Sequence, residues 1–131
     1  MASLRTDKKQ AADLPDSATP RAACTLLNKL QSGQLLSAKS TDYLLDLMRR
    51  CQTGEKRIRA GISKEWLVAH KTGTGPEKSG INVAVNDVAI ITRPDKSSLI
   101  LDIFIADAKA TRAACESKTA EIAHAVQVSA Q

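Results

Sequence analysis

Trp66-Leu67-Val68-Ala69-His70-Lys71-Thr72 runs into Gly73-Thr74-Gly75-Pro76, and this stretch decides the architecture. Its first seven residues are mostly apolar, of strand length, and halted by turn-forming residues. A second strand is expected over Ile81–Thr92, carrying Val83, Val85, Val88, Ile90 and Ile91. Arg93-Pro94-Asp95-Lys96-Ser97 has the composition of a turn. Leu99–Ala106 is the third strand, with Leu101, Ile103 and Ile105 alternating against Asp102 and Phe104. Links this short between strands favour an antiparallel meander, because parallel neighbours need a long crossover.

Upstream the period changes from strand to helix. Thr19 is placed to cap a helix over Pro20–Gln31, with Pro20 in the first turn, where a missing N–H costs nothing. Ala23, Leu26, Leu27 and Leu30 share one face of it. A second helix starts at Ser37 or Ser40 and runs to Cys51, with an apolar stripe of Leu44, Leu45, Leu47, Met48 and Cys51. A short helix is expected over Glu55–Ala60, closed by Gly61. Downstream of the strands, a last helix covers about Thr111–Val128, with Ala114, Ile122, Ala125 and Val126 as its expected packing face. The fold class is therefore α+β: a three-stranded antiparallel meander packed by a C-terminal helix, preceded by two or three helices. Three strands need such a cover to be stable.

Composition narrows the function. The chain has 131 residues, the size of one domain or part of one. Only Tyr43, Trp66 and Phe104 are aromatic, which argues against single-stranded nucleic acid, whose bases need stacking faces. The net charge of +5 comes from Lys and Arg spread along the chain among acids, so no nucleic-acid partner is expected. The densest cluster, Glu55-Lys56-Arg57-Ile58-Arg59, reads as solvated charge on a short helix. No run of about 18 apolar residues occurs, and no membrane partner is expected. Cys24, Cys51 and Cys115 lie far apart without a CxxC pair, and His70 and His124 share no ligand spacing with them. Neither a metal nor another cofactor is expected, and the cysteines read as small hydrophobes. The first ten residues carry charge without an apolar core, so they do not read as a secretory signal, and as written the chain is expected in the cytoplasm.

Chemistry concentrates at the end of the first strand. Lys71 supplies positive charge, Thr72 and Thr74 supply hydroxyls, and Gly73 and Gly75 let a ligand approach the backbone. An edge strand would add free N–H and C=O groups. The set suits an amide substrate that bears a carboxylate. A plain exposed strand end followed by a turn is the alternative reading of the same residues.

The order of several motifs extends this reading. Asp13-Leu14-Pro15-Asp16-Ser17-Ala18-Thr19-Pro20, Leu26-Leu27-Asn28-Lys29-Leu30, Arg57-Ile58-Arg59-Ala60-Gly61-Ile62, Lys71-Thr72-Gly73-Thr74-Gly75 and Asn86-Asp87-Val88-Ala89-Ile90-Ile91 come one after another. In this order they resemble the later half of a class A serine β-lactamase, from the end of its omega loop to its last helix. The resemblance covers residues 13–128 and implies a partial β-lactamase/transpeptidase-like fold. Residues 1–12 do not match and are expected to be flexible. By position, Lys71 is similar to the family's basic residue that polarises the site and binds the substrate carboxylate. Thr72 and Thr74 match positions whose hydroxyls contact that carboxylate, with Gly73 between them. The backbone N–H of Thr74 matches one of two oxyanion-hole donors, which stabilise charge only as it forms. Arg57 matches a helix position that serves the carboxylate in members lacking an arginine on the next strand, and Gly80-Ile81-Asn82 has none. A solvated helix charge remains the other reading of Arg57.

The rest of the family's machinery is absent from this sequence. Its Ser-x-x-Lys and Ser-Asp-Asn motifs do not occur: no serine here has a lysine three residues on. The omega-loop glutamate that the resemblance implies falls near Ser3, where the match has ended. Loss of a serine nucleophile alone costs about a millionfold in a comparable machine. The expectation is a truncated β-lactamase-family chain, inactive alone, whose partner is a β-lactam by resemblance. Self-association, or complementation by an earlier half, would follow from its open surfaces. A noncatalytic interaction module using the sheet edge, and a fragment of a penicillin-binding peptidase, are the alternatives. Family members are normally periplasmic or secreted, unlike the chain as written.

Overall fold

The computed structural model describes residues 17–130. The expected flexible start over 1–12 lies outside them. The elements run α1 (Pro20–Gln31), α2 (Ala38–Arg49), α3 (Ile58–Gly61), β1 (Leu67–Thr74), β2 (Glu77–Lys78), β3 (Ile81–Thr92), β4 (Ser98–Ala108) and α4 (Arg112–Ser129).

Capping sets the helix starts. Thr19 Oγ1 accepts the N–H of Ala22, Ser37 Oγ that of Ser40, and Thr111 Oγ1 that of Ala114. Each hydroxyl satisfies a donor that the first turn leaves unpaired. Of the two starts open for the second helix, Ser37 is the cap. The expected helix over Glu55–Ala60 begins later, at Ile58. Arg57 has φ −101° and ψ −132°, and its side chain turns inward rather than along a helix surface.

The sheet is antiparallel throughout. β3 is central, with β1 along one side and β4 along the other. Beyond the expected three strands, the two-residue β2 pairs with Ile81 and Asn82 at the start of β3. The β3–β4 turn is fastened by Asp95 Oδ1, which accepts from the backbone N–H and hydroxyl of Ser97.

Period-two alternation sends the strand residues to two separate cores. On one face Ala89, Ile91 and Ile103 pack with Ile58, Ile62 and Ala123 under α3 and α4. On the other, Ala69 and Ile90 pack with Leu27, Leu30 and Met48 of α1 and α2. Leu101, Ile103 and Ile105 take the α4 side as expected, and Asp102 faces the leucine side near Cys24. Both Asp102 carboxyl oxygens are buried, with the Cys24 thiol and the Ala89 backbone as their polar neighbours. Burial pushes the Asp102 carboxyl pKa upward, and burial together with this neighbour raises that of the Cys24 thiol.

The packing face of α4 needs correction. Ala114, Ile122 and Ala125 are exposed and Val126 is half-buried; the buried residues are Cys115, Thr119, Ala123 and Gln127. Close approach decides this, because small side chains at steps of four let α4 lie flush on α3. A Cβ added to Gly61 would meet Ala120 O at 2.1 Å and Ala123 Cβ at 2.8 Å. Larger residues on that face would hold the helices apart.

Candidate functional site

β1 positions the site. It is an edge strand among the described residues, so alternate backbone N–H and C=O groups on its outer side lack a strand partner. Alternation splits its side chains. Lys71 and Gly73 face the α1–α2 side, and Thr72 and Thr74 face α3 with Arg57. Lys71 is exposed, with Nζ donating to the Thr72 carbonyl at 2.6 Å. At Gly73 an added Cβ would meet only Asn86 Cβ, at 3.7 Å, so the protein leaves open space there.

Arg57 is the organising residue, and it is not a solvated helix charge: its exposure is 4%. Nε pairs with Glu116 Oε1 at 3.2 Å, Nη1 donates to Asn86 O at 2.9 Å, and Nη2 donates to Thr74 Oγ1 at 2.9 Å. A planar guanidinium with five donors can serve three acceptors in fixed directions; an ammonium cannot. The hydroxyl of Thr74 accepts from Arg57, which leaves its own O–H free to donate to an incoming anion. Arg59, in the same basic cluster, is half-buried and donates to Arg49 O and Val68 O at 3.0 Å each.

The loop before α3 is held from beneath. Thr72 Oγ1 lies 2.7 Å from Thr53 Oγ1, so the Thr72 hydroxyl is engaged with the loop before α3. Gly54 sits above this contact with φ +73°, and an added Cβ would come within 2.3 Å of Thr72 Cγ2. Only glycine fits both the conformation and the space. Below, fully buried His70 Nδ1 lies 3.0 Å from Asp87 Oδ1, and Asp87 Oδ2 accepts the N–H of Ile58 at 3.2 Å. Asp87 thus fastens α3, and with it Arg57, to the central strand.

The structure brings Arg57, Thr74, Thr72 and Lys71 to one end of β1. It places the hydroxyl of Thr72 on Thr53, and that of Thr74 beside the arginine. No pattern in the sequence singles out Glu116, Thr53 or the His70–Asp87 pair as site residues. Glu116 lies 59 residues from Arg57, a separation no local pattern bridges. Among the described residues, no group of three or more His, Cys, Asp and Glu side chains is placed to hold a metal ion. The arrangement can bind a carboxylate by charge and by one free hydroxyl, with backbone N–H groups alongside.

This geometry has relatives. A sequence profile described as the β-lactamase enzyme family matches residues 1–129. The β-lactamase VEB-1 of Pseudomonas aeruginosa is 38% identical over 105 residues, covering 76% of this chain and 35% of the relative. Beta-lactamase 3 of Bacillus cereus is 40% identical over 88 residues, covering 67% and 26%. A crystal structure of a β-lactamase from Chitinophaga pinensis superposes with a TM-score of 0.83 at 33% identity, covering 95% of this chain and 48% of that one. The TLA-1 extended-spectrum β-lactamase superposes at 0.80 with 35% identity, covering 83% and 40%. The chain thus spans about a third of the length of these curated relatives, and under half of these solved chains. On sequence and fold together, it belongs to the β-lactamase enzyme family, on the class A side of it.

Proposed function

We propose that this chain forms the carboxylate-binding wall of a β-lactam site and does not turn substrate over by itself. The Arg57–Thr74 contact of 2.9 Å beside Lys71 and Gly73 carries the reading. It presents a free hydroxyl, backed by a buried cation, at the open edge of β1, where an anionic amide substrate would lie. Lys71 supplies the second positive charge. The backbone N–H of Thr74 is the candidate for one oxyanion donor. The 131 residues hold no Ser-x-x-Lys or Ser-Asp-Asn, so the nucleophile and its bases must come from another polypeptide segment. Complementation, rather than independent catalysis, is the role this composition supports.

The test is hydrolysis of a chromogenic cephalosporin by the purified chain beside Lys71→Ala, with penicillin binding followed by ligand-observed NMR. The expected result is no turnover by either protein, and penicillin binding that weakens in Lys71→Ala. Turnover by the unaltered chain that disappears in Lys71→Ala would overturn the reading, since a serine present here would then be the nucleophile. Absence of penicillin binding would overturn the wall itself.

A further inference from the structure

A cavity of about 520 Å³ opens at the foot of β1, between the end of α2, α3 and the loop joining α3 to the strand. None of its lining comes from α4 or from the Lys71 end of β1. Arg49, Arg59 and Lys64 bring three cations to it, and Ile62, Trp66 and Leu67 give it apolar walls. Charge there lacks a counterion. Arg59 is half-buried, yet its acceptors are neutral: Nη2 donates to Arg49 O and to Val68 O, at 3.0 Å each. Its Nε is shut off from solvent without an acceptor. Among the described residues, no carboxylate lies within ion-pair distance of Arg49, Arg59 or Lys64. Glu65 is the one acid beside them in sequence, and it is exposed and accepts the Ser63 hydroxyl. Withdrawing a guanidinium from water without a partner is costly. Two residues earlier, Arg57 meets that cost with Glu116; Arg59 has no such partner.

We propose that this cavity binds a small organic anion with a flat apolar body, an aromatic carboxylate by chemical class. The carboxylate meets Arg59, whose Nη1 has no protein acceptor among the described residues, and Arg49 and Lys64 add their attraction. A partly desolvated guanidinium makes a stronger charge-assisted bond than one in open water. The ring lies along Trp66 and Leu67, and Leu67 is 59% exposed without such a cover. Arg93, its guanidinium 5.6 Å from the Trp66 ring centre, adds a fourth cation near the aromatic wall. An inorganic anion would leave the apolar walls wet, and an uncharged aromatic would leave the cations unpaired; a molecule with both parts satisfies both. The cavity has the size of a small-molecule site, about 300–1,000 Å³. It stands apart from the carboxylate wall: Leu67 opens β1, and Lys71 lies roughly 13 Å along it at strand rise.

The test titrates the isotope-labelled full chain with benzoate, and separately with benzamide, an uncharged molecule of nearly the same shape, and with inorganic phosphate. The reporter is the indole N–H of Trp66, which gives a single NMR signal because the chain has one tryptophan. Benzoate is expected to move that signal saturably, with benzamide and phosphate each binding at least tenfold more weakly. Arg49→Gln and Lys64→Gln, both at exposed positions, should each weaken benzoate at least threefold, and the double variant at least tenfold. Lys39→Gln, at the other end of α2, should leave binding unchanged. Added salt should weaken benzoate and leave benzamide alone. The backbone amide spectrum of each variant separates lost binding from lost folding, and the comparison of benzoate with benzamide on the unaltered chain needs no variant. An indole signal that benzoate does not move saturably, an equal response to benzamide or phosphate, or undiminished binding in a folded double variant would each overturn the proposal.

Discussion

At the residue scale, burial decides which charges matter. Arg57 joins Glu116, the Asn86 carbonyl and Thr74, and these partners come from three different elements. Arg57→Ala is expected to cost about 2–3 kcal/mol in urea unfolding, the range for losing a charged hydrogen-bonding group at a buried site. Arg57→Lys should recover only part of it, because one ammonium cannot span three acceptors. Asp102 is the opposite case, a carboxyl that the fold prefers neutral. Stability drawn from that preference is full below the ordinary carboxylate value of 3.8 and is lost as pH rises through the raised folded value. Asp102→Val should therefore stabilise the chain at pH 7 by about 1 kcal/mol. That gain should vanish near pH 3, where the native carboxyl is neutral; thermal melts at the two pH values read it. Lys71, Thr74 and Arg57 stood out in the sequence because a strand end and an ordered set of motifs pointed to them. Glu116 did not, because tertiary folding alone brings it to Arg57.

At the element scale, local rules held where local forces act. Thr19 and Pro20 mark the start of α1, and the alternation of β4 gives its two faces. The face of α4 escaped the same logic. Its larger apolar residues, Ile122 and Val128, are exposed, while Thr119 and Gln127 are buried. Thr119 is satisfied by Cys115 O, and Gln127 Oε1 accepts the N–H of Ser63. A contact set by the absence of bulk at Gly61 overrides a stripe counted by hydrophobicity. Gly61→Ala is therefore expected to destabilise the chain by about 3 kcal/mol, the upper range for overpacking a tight contact. A matched Gly33→Ala control would be confounded by its left-handed backbone, so Ala60→Ser, on an exposed position of the same helix, is the better reference. Chemical denaturation compares the two.

At the scale of the whole molecule, the sheet divides the protein into two layers of unequal cover. The α3–α4 layer closes over Ile58, Ala89 and Ile91, all with no measurable exposure. The α1–α2 layer keeps four leucines more than two-fifths exposed. Trp66, the sole tryptophan, packs on the closed side, with the Arg93 guanidinium 5.6 Å from its ring centre. Its emission therefore witnesses one side of the sheet only, and the leucine side is nearly silent in that channel, its aromatics being the exposed Tyr43 and, by strand alternation, Phe104. Far-ultraviolet dichroism, by contrast, registers the turns of α1 and α2. An optical titration of this chain with urea is expected to yield two curves, ellipticity falling before emission shifts. The gap between them would measure how loosely one layer is moored to the other, and covering those leucines should close it.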